Sequence, residues 1–146
     1  MTIFVRSLCA ATLALALSPA AFAAAPAQIV RVSLLGEADQ PMSVKLDANT
    51  INAGEVEFAV SNGAVSTDHE VILVALKTSD QKIAADTKKH RVDEGKLKTL
   101  GEAGGLKPGD KKVLKATLKL GVTYALICNH KNHFELGMAT RFTVVK

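Results

Sequence analysis

The chain has 146 residues, 18 of them Lys or Arg and 14 Asp or Glu, for a net charge of +4. That length leaves room for one folded domain and little else. Basic pairs such as Lys88-Lys89 and Lys111-Lys112 sit among acidic residues. They read as solvated surface, which argues against a nucleic-acid partner.

Residues 1–23 read as a secretory signal peptide: Arg6 forms a positive n-region, an Ala/Leu-rich run follows, and Ala21-Phe22-Ala23 fits a small-x-small cleavage site. The apolar run is shorter than the roughly 20 residues a bilayer span needs, so no stable membrane insertion is expected. The domain is then 24–146 and is expected to be exported. Losing Arg6 leaves 17 basic and 14 acidic residues, a net charge of +3.

In chain order, the predicted strands are 29–34 (IVRVSL), 42–46 (MSVKL), 55–60 (EVEFAV), 70–76 (EVILVAL), 113–118 (VLKATL), 123–128 (TYALIC) and 140–145 (TRFTVV). The third alternates with period two, placing Val56, Phe58 and Val60 on one face. The fourth is almost continuously apolar and is expected to be buried on both faces. Ala53-Gly54 and Ser61-Asn62-Gly63 punctuate the strands as turns. Seven short strands of this kind predict an all-β Greek-key sandwich. Residues 78–109 interrupt the pattern. They are long, charged and glycine-rich, and read as one long insert, partly helical around 79–89.

Cys9 leaves with the leader, so Cys128 is a single thiol in an exported chain and has no intramolecular partner. Such a thiol invites oxidation unless it is buried or bound to metal. The segment 124–143, YALICNHKNHFELGMATRFT, places Cys128, His130, His133 and Met138 within eleven residues. Its order is C-x4-H-x4-M, on one loop between two strands. Two soft sulfurs with imidazole select copper over calcium or magnesium. A trigonal His2Cys set with a weak axial Met is the blue-copper arrangement. The second imidazole must come from elsewhere. His69, at the head of an apolar strand, is better placed than His90, which stands between Lys89 and Arg91 and reads as solvated. His130 reads as a surface residue. A zinc site of Cys128, His130 and His133 is the inorganic alternative. It leaves His69 and Met138 unused, whereas structural zinc takes a closed set of four ligands.

These motifs resemble the bacterial periplasmic cupredoxins of the plastocyanin/azurin class. The resemblance spans 50–58 (TINAGEVEF), 62–69, 106–109 (LKPG) and 124–143, and the ligand spacing is that of rusticyanin and auracyanin. It implies one mononuclear copper held by His69, Cys128 as thiolate, His133, and Met138 as axial thioether, with Gly137 at the turn. It also implies a carrier of single electrons to a redox partner protein, acting as a monomer and not as an enzyme. Phe134, Leu136 and Gly137 would flank the exit at His133 as a docking patch. One departure stands out. Plastocyanin and azurin carry Asn after the first His, tying the two ligand segments together. Here that residue is Glu70, and Asn129 is a candidate to share the role. The alternative function is copper buffering, tolerance or delivery. Extra Met- or His-rich tracts would mark it, but 24–146 holds only two Met and four His. No Ser/His/Asp or paired-carboxylate arrangement supports hydrolytic catalysis.

Overall fold

A computed structural model describes residues 27–38, 40–48 and 50–146. The expected leader, 1–23, lies outside the described residues. The strands are β1 Gln28–Leu35, β2 Ser43–Leu46, β3 Ile51–Asn52, β4 Gly54–Asn62, β5 His69–Ala75, β6 Ala85–Asp86, β7 Arg91–Val92, β8 Lys98–Leu106, β9 Lys111–Leu118, β10 Thr123–Ile127 and β11 Ala139–Val145. Four of them form one sheet in the order β2-β1-β4-β9, and five form the other in the order β3-β11-β10-β5-β8. Most pairs are antiparallel, but β1 runs parallel to β4 and β11 parallel to β3. All seven predicted strands are present within a residue or two, and the fold is the expected β-sandwich.

Alternation builds the core. Val30, Val32, Leu34, Val56, Phe58 and Val60 point inward from the four-stranded sheet. Val71, Leu73, Tyr124, Leu126, Phe142 and Val144 meet them from the other sheet. Phe142 lies between two aromatic neighbours, tilted against Phe58 at 5.9 Å and stacked on Tyr124 at 5.7 Å between centroids. Tyr124 is fully buried but not orphaned, since its hydroxyl accepts the Lys119 N–H at 2.9 Å.

The insert corrects the expectation in two respects. The described residues contain no α-helix around 79–89. Asp86 accepts the N–H groups of Lys88 and Lys89 at 2.8 Å each, and its carbonyl accepts that of His90 at 2.7 Å. These bonds start a single turn, which His90 ends with φ of 53°. The result is a β6–β7 hairpin followed by a 3-10 turn at Glu94–Lys96. No apolar stripe of helical period exists there to extend the turn. The second half of the insert is not a loop. Residues 98–106 form β8, the edge strand paired with β5.

The first half of the insert, residues 77–97, packs on the outer face of the five-stranded sheet. Its Ile83, Val92 and Leu97 join Ile72, Val74, Leu76, Ala125 and Ile127 in a second apolar cluster. This layer buries the continuous apolar run of β5 on both faces. Arg141 of β11 also donates to the Ser79 and Gln81 carbonyls, at 2.8 and 2.5 Å.

Candidate metal centre

Strand register brings three of the predicted donors, His69, Cys128 and His133, together. In β10 the inward residues are Tyr124 and Leu126, so parity turns Cys128 inward as well. Ile127 pairs with Ile72, so the chain leaves β10 beside the start of β5, where His69 lies. The 129–138 loop then folds back. Its turns are closed by bonds from His133 N–H to His130 O at 3.0 Å and from Leu136 N–H to Asn132 O at 3.0 Å. Met138 N–H donates to His133 O, and Cys128 N–H to Met138 O, both at 3.0 Å. Asn132, with φ of 70°, and Gly137, with φ of 106°, take the left-handed positions these turns require. A Cβ at Gly137 would lie 2.8 Å from the Met42 carbonyl oxygen, so only glycine fits there.

The Nδ1 atoms of His69 and His133 face each other at 3.2 Å, and Cys128 Sγ is 3.5 Å from His133 Nδ1. All three donor atoms lie within 4.8 Å of one another, and all three residues are buried. Ligands bound to one transition-metal ion at about 2.0–2.3 Å stand at this spacing. The donor chemistry, two imidazoles and a thiol, fits a soft or borderline ion. His69 Nε2 donates to the Gly36 carbonyl at 3.1 Å, which fixes the tautomer that leaves Nδ1 free to bind. Met138 is fully buried in the same core cluster as Cys128, with its backbone tied to both Cys128 and His133.

The electrostatics keep the donors neutral in the metal-free protein. Burial pushes the Cys128 thiol up to about 11, and the nearby backbone amides of His130 and Glu70 oppose that rise. Burial, with the neighbouring His69 second, lowers His133 to about 4. Burial likewise lowers His69, opposed by its bond to Gly36. A cation at this point reverses the penalty on the thiolate, and protons compete weakly for the imidazoles.

His130 is not among the converging donors. Its ring stacks on His133 at 5.3 Å, and its Nε2 is 3.9 Å from Glu70 Oε2. Glu70, the departure from the Asn pattern, makes the tie itself, because its Oε1 accepts the Asn129 N–H at 3.1 Å. Asn129 does something different. Its side chain reaches away from His69 to Val92 and Glu94 of the insert. His90 is not simply solvated: it is half-buried, with Nδ1 2.9 Å from Glu135 Oε2. Of the residues expected to form a docking patch, Phe134 is half-buried against the second apolar cluster, Leu136 is half-buried against the first, and Gly137 is exposed. Sequence reading passed over Glu37. Its carboxylate accepts Val65 N–H at 2.5 Å, Ser66 Oγ–H at 2.7 Å and Thr67 Oγ1–H at 2.9 Å, and braces the turn before His69. These bonds hold its carboxyl down at about 2.

No protein-family model and no curated protein sequence matches the chain. Solved structures do. Auracyanin from the photosynthetic bacterium Roseiflexus castenholzii is 16% identical with a TM-score of 0.54, over 84% of this chain and 100% of that one. Rusticyanin from Thiobacillus ferrooxidans is 16% identical with a TM-score of 0.58, over 80% and 75% of the two chains. Auracyanin B is 19% identical with a TM-score of 0.56, over 85% and 93%. At such identities the likeness is one of fold, and the fold of this chain is the cupredoxin β-sandwich of rusticyanin and auracyanin.

Proposed function

We propose that the protein is an exported, periplasmic type 1 copper protein that passes single electrons between partner proteins. The observation that carries this reading is the buried convergence of His69 Nδ1, Cys128 Sγ and His133 Nδ1. The rusticyanin to which the fold is similar is described as a copper protein. His69, Cys128, His133 and Met138 would hold one ion, the two sulfurs favouring Cu(I) and the imidazoles accepting Cu(II). Bound copper supplies a one-electron couple.

The chain's own residues supply the rest. Four protein donors leave no open position for a substrate, consistent with a carrier rather than an enzyme. Closed backbone turns hold the donors in place, so little rearrangement accompanies a change of oxidation state. Burial of Cys128 and Met138 keeps water from the sulfurs, while His133, 9% exposed against 0% for the other three, is the one that reaches the surface.

Voltammetry of the copper-loaded protein, read beside the copper tolerance of a deletion strain, tests this function. Fast reversible one-electron waves with unchanged tolerance are expected. Sluggish waves with a copper-sensitive strain would instead assign the protein to copper buffering or delivery.

A further inference from the structure

The insert and the ligand loop are fastened at four points. The Asn129 side-chain amide pairs with the backbone of Val92 as a neighbouring strand would: Oδ1 accepts Val92 N–H at 2.6 Å and Nδ2 donates to Val92 O at 3.0 Å. The second Nδ2 hydrogen goes to Glu94 Oε1 at 2.7 Å. Asn129 is 4% exposed, and both its donor hydrogens are used. Further along, Asn132 N–H donates to His90 O at 2.9 Å, and the His90 ring meets Glu135. Phe134 packs into the cluster that contains Val92. His90 and Asn132, joined by that bond, are the two described non-glycine residues with positive φ, at 53° and 70°. Such conformations persist only where the surroundings hold them.

We propose that Asn129 is a positioning residue for the metal centre, clamping the peptide after Cys128 to residues 77–97, which act as a strap over the 128–138 loop. The assignment to a metal rests on the copper reading above, whereas the clamp belongs to the chain alone. The lever is short. Asn129 follows Cys128 directly, its side chain is held by Val92 and Glu94, and its N–H is held by Glu70 Oε1 at 3.1 Å, next to His69 in the chain. Moving Asn129 therefore moves the residue bonded to Cys128 and loosens its tie to Glu70, the neighbour of His69. Outer groups that orient a metal's ligands in this way tune the bond to the metal.

Two measurements on the full exported chain test the proposal with Asn129→Ala. Val56→Ala, in the core of the opposite sheet, serves as a control for general destabilisation. In the metal-free protein, amide exchange at Leu136, Gly137 and Met138 should accelerate about tenfold or more in the Asn129 variant, the scale set by a buried amide left unpaired. The control should not single out that loop. With one equivalent of Cu(II), the Asn129 variant should show a displaced thiolate-to-copper band and lose Cu(I) to a chelator about tenfold faster. Glu94→Ala, which removes one partner at the surface, should move both readouts in the same direction by less, and it decides the matter if Asn129→Ala does not fold. Faster exchange confined to 77–97, or equal loop exchange in Asn129→Ala and the control, would overturn the clamp. An unmoved copper band and release rate beside a loosened loop would overturn the positioning role. Absence of any copper band in the unsubstituted protein would sink the copper reading, while the exchange measurement would still judge the clamp.

Discussion

The two sheets of the sandwich solve burial differently. In the four-stranded sheet, β4 alternates strictly: Val56, Phe58 and Val60 are buried while the residues between them are not. In the five-stranded sheet, β5 buries Val71, Ile72, Leu73 and Val74 in succession, and β10 buries Tyr124 to Ile127. The difference is the strap, residues 77–97, which covers the outer face of β5 and β10 and nothing of β4. The covered sheet is the one that supplies both His69 and Cys128. A site whose strands are packed from both sides has less freedom to shift than one on a sheet open to water.

Substitutions can break or sharpen that contrast. Phe58→Ala, at the centre of the shared core, should cost about 3–5 kcal/mol by urea unfolding. A loss below about 1 kcal/mol would mean that the two sheets are not packed as described. Ile72→Ala, on the outer face beneath the strap, should cost about 2–5 kcal/mol. Val113→Ala, on the open face of the other sheet and 57% exposed, should cost within about 0.5 kcal/mol. Equal effects at the two positions would remove the contrast between the sheets.

Glu37 gives a pH-dependent comparison. Its carboxyl is held at about 2 in the folded chain against an ordinary value of 4.5, chiefly by the Val65 N–H and then by the Ser66 and Thr67 hydroxyls. A lowered carboxyl stabilises the fold above about pH 4.5, and that stabilisation is lost as pH falls towards 2. Glu37→Gln should therefore melt below the parent at pH 7, with the gap closing between pH 4.5 and 2. A gap of constant size would assign the brace to shape rather than charge. A small, salt-dependent effect belongs to Lys115, 2.7 Å from Glu57 on the open sheet with its side chain 71% exposed. Lys115→Ala should cost under about 1 kcal/mol and less in high salt, which denaturation at two ionic strengths would show.

Much of this was legible in the sequence. Period-two alternation identified β4, and a continuous apolar run identified β5 as doubly buried, although nothing in the run says what covers it. The spacing from Cys128 to His133 to Met138 placed the loop, and the position of His69 at a strand start completed the converging trio. What escaped was set by tertiary partners. Residues 98–106 contain three glycines and read as a loop, yet pairing with β5, broken by register shifts near His69 and Leu73, makes them a strand. The charged stretch at 79–89 suggested a helix, but Asp86 caps only one turn and Ile83 is drawn onto the sheet. Glu70 in place of Asn looked like a loss of the tie between ligand segments. A longer carboxylate reaches the same Asn129 N–H, which residue type alone does not reveal.

The central claim is the metal centre, and the visible and EPR spectra of the mature protein with one equivalent of Cu(II), recorded beside Cys128→Ala, test it most directly. An intense blue or green thiolate-to-copper band that vanishes in the variant is the predicted result. A colourless protein, or one that takes zinc in preference and leaves the spectrum of the variant unchanged, would contradict it and return Cys128 to the role of a buried thiol or zinc ligand.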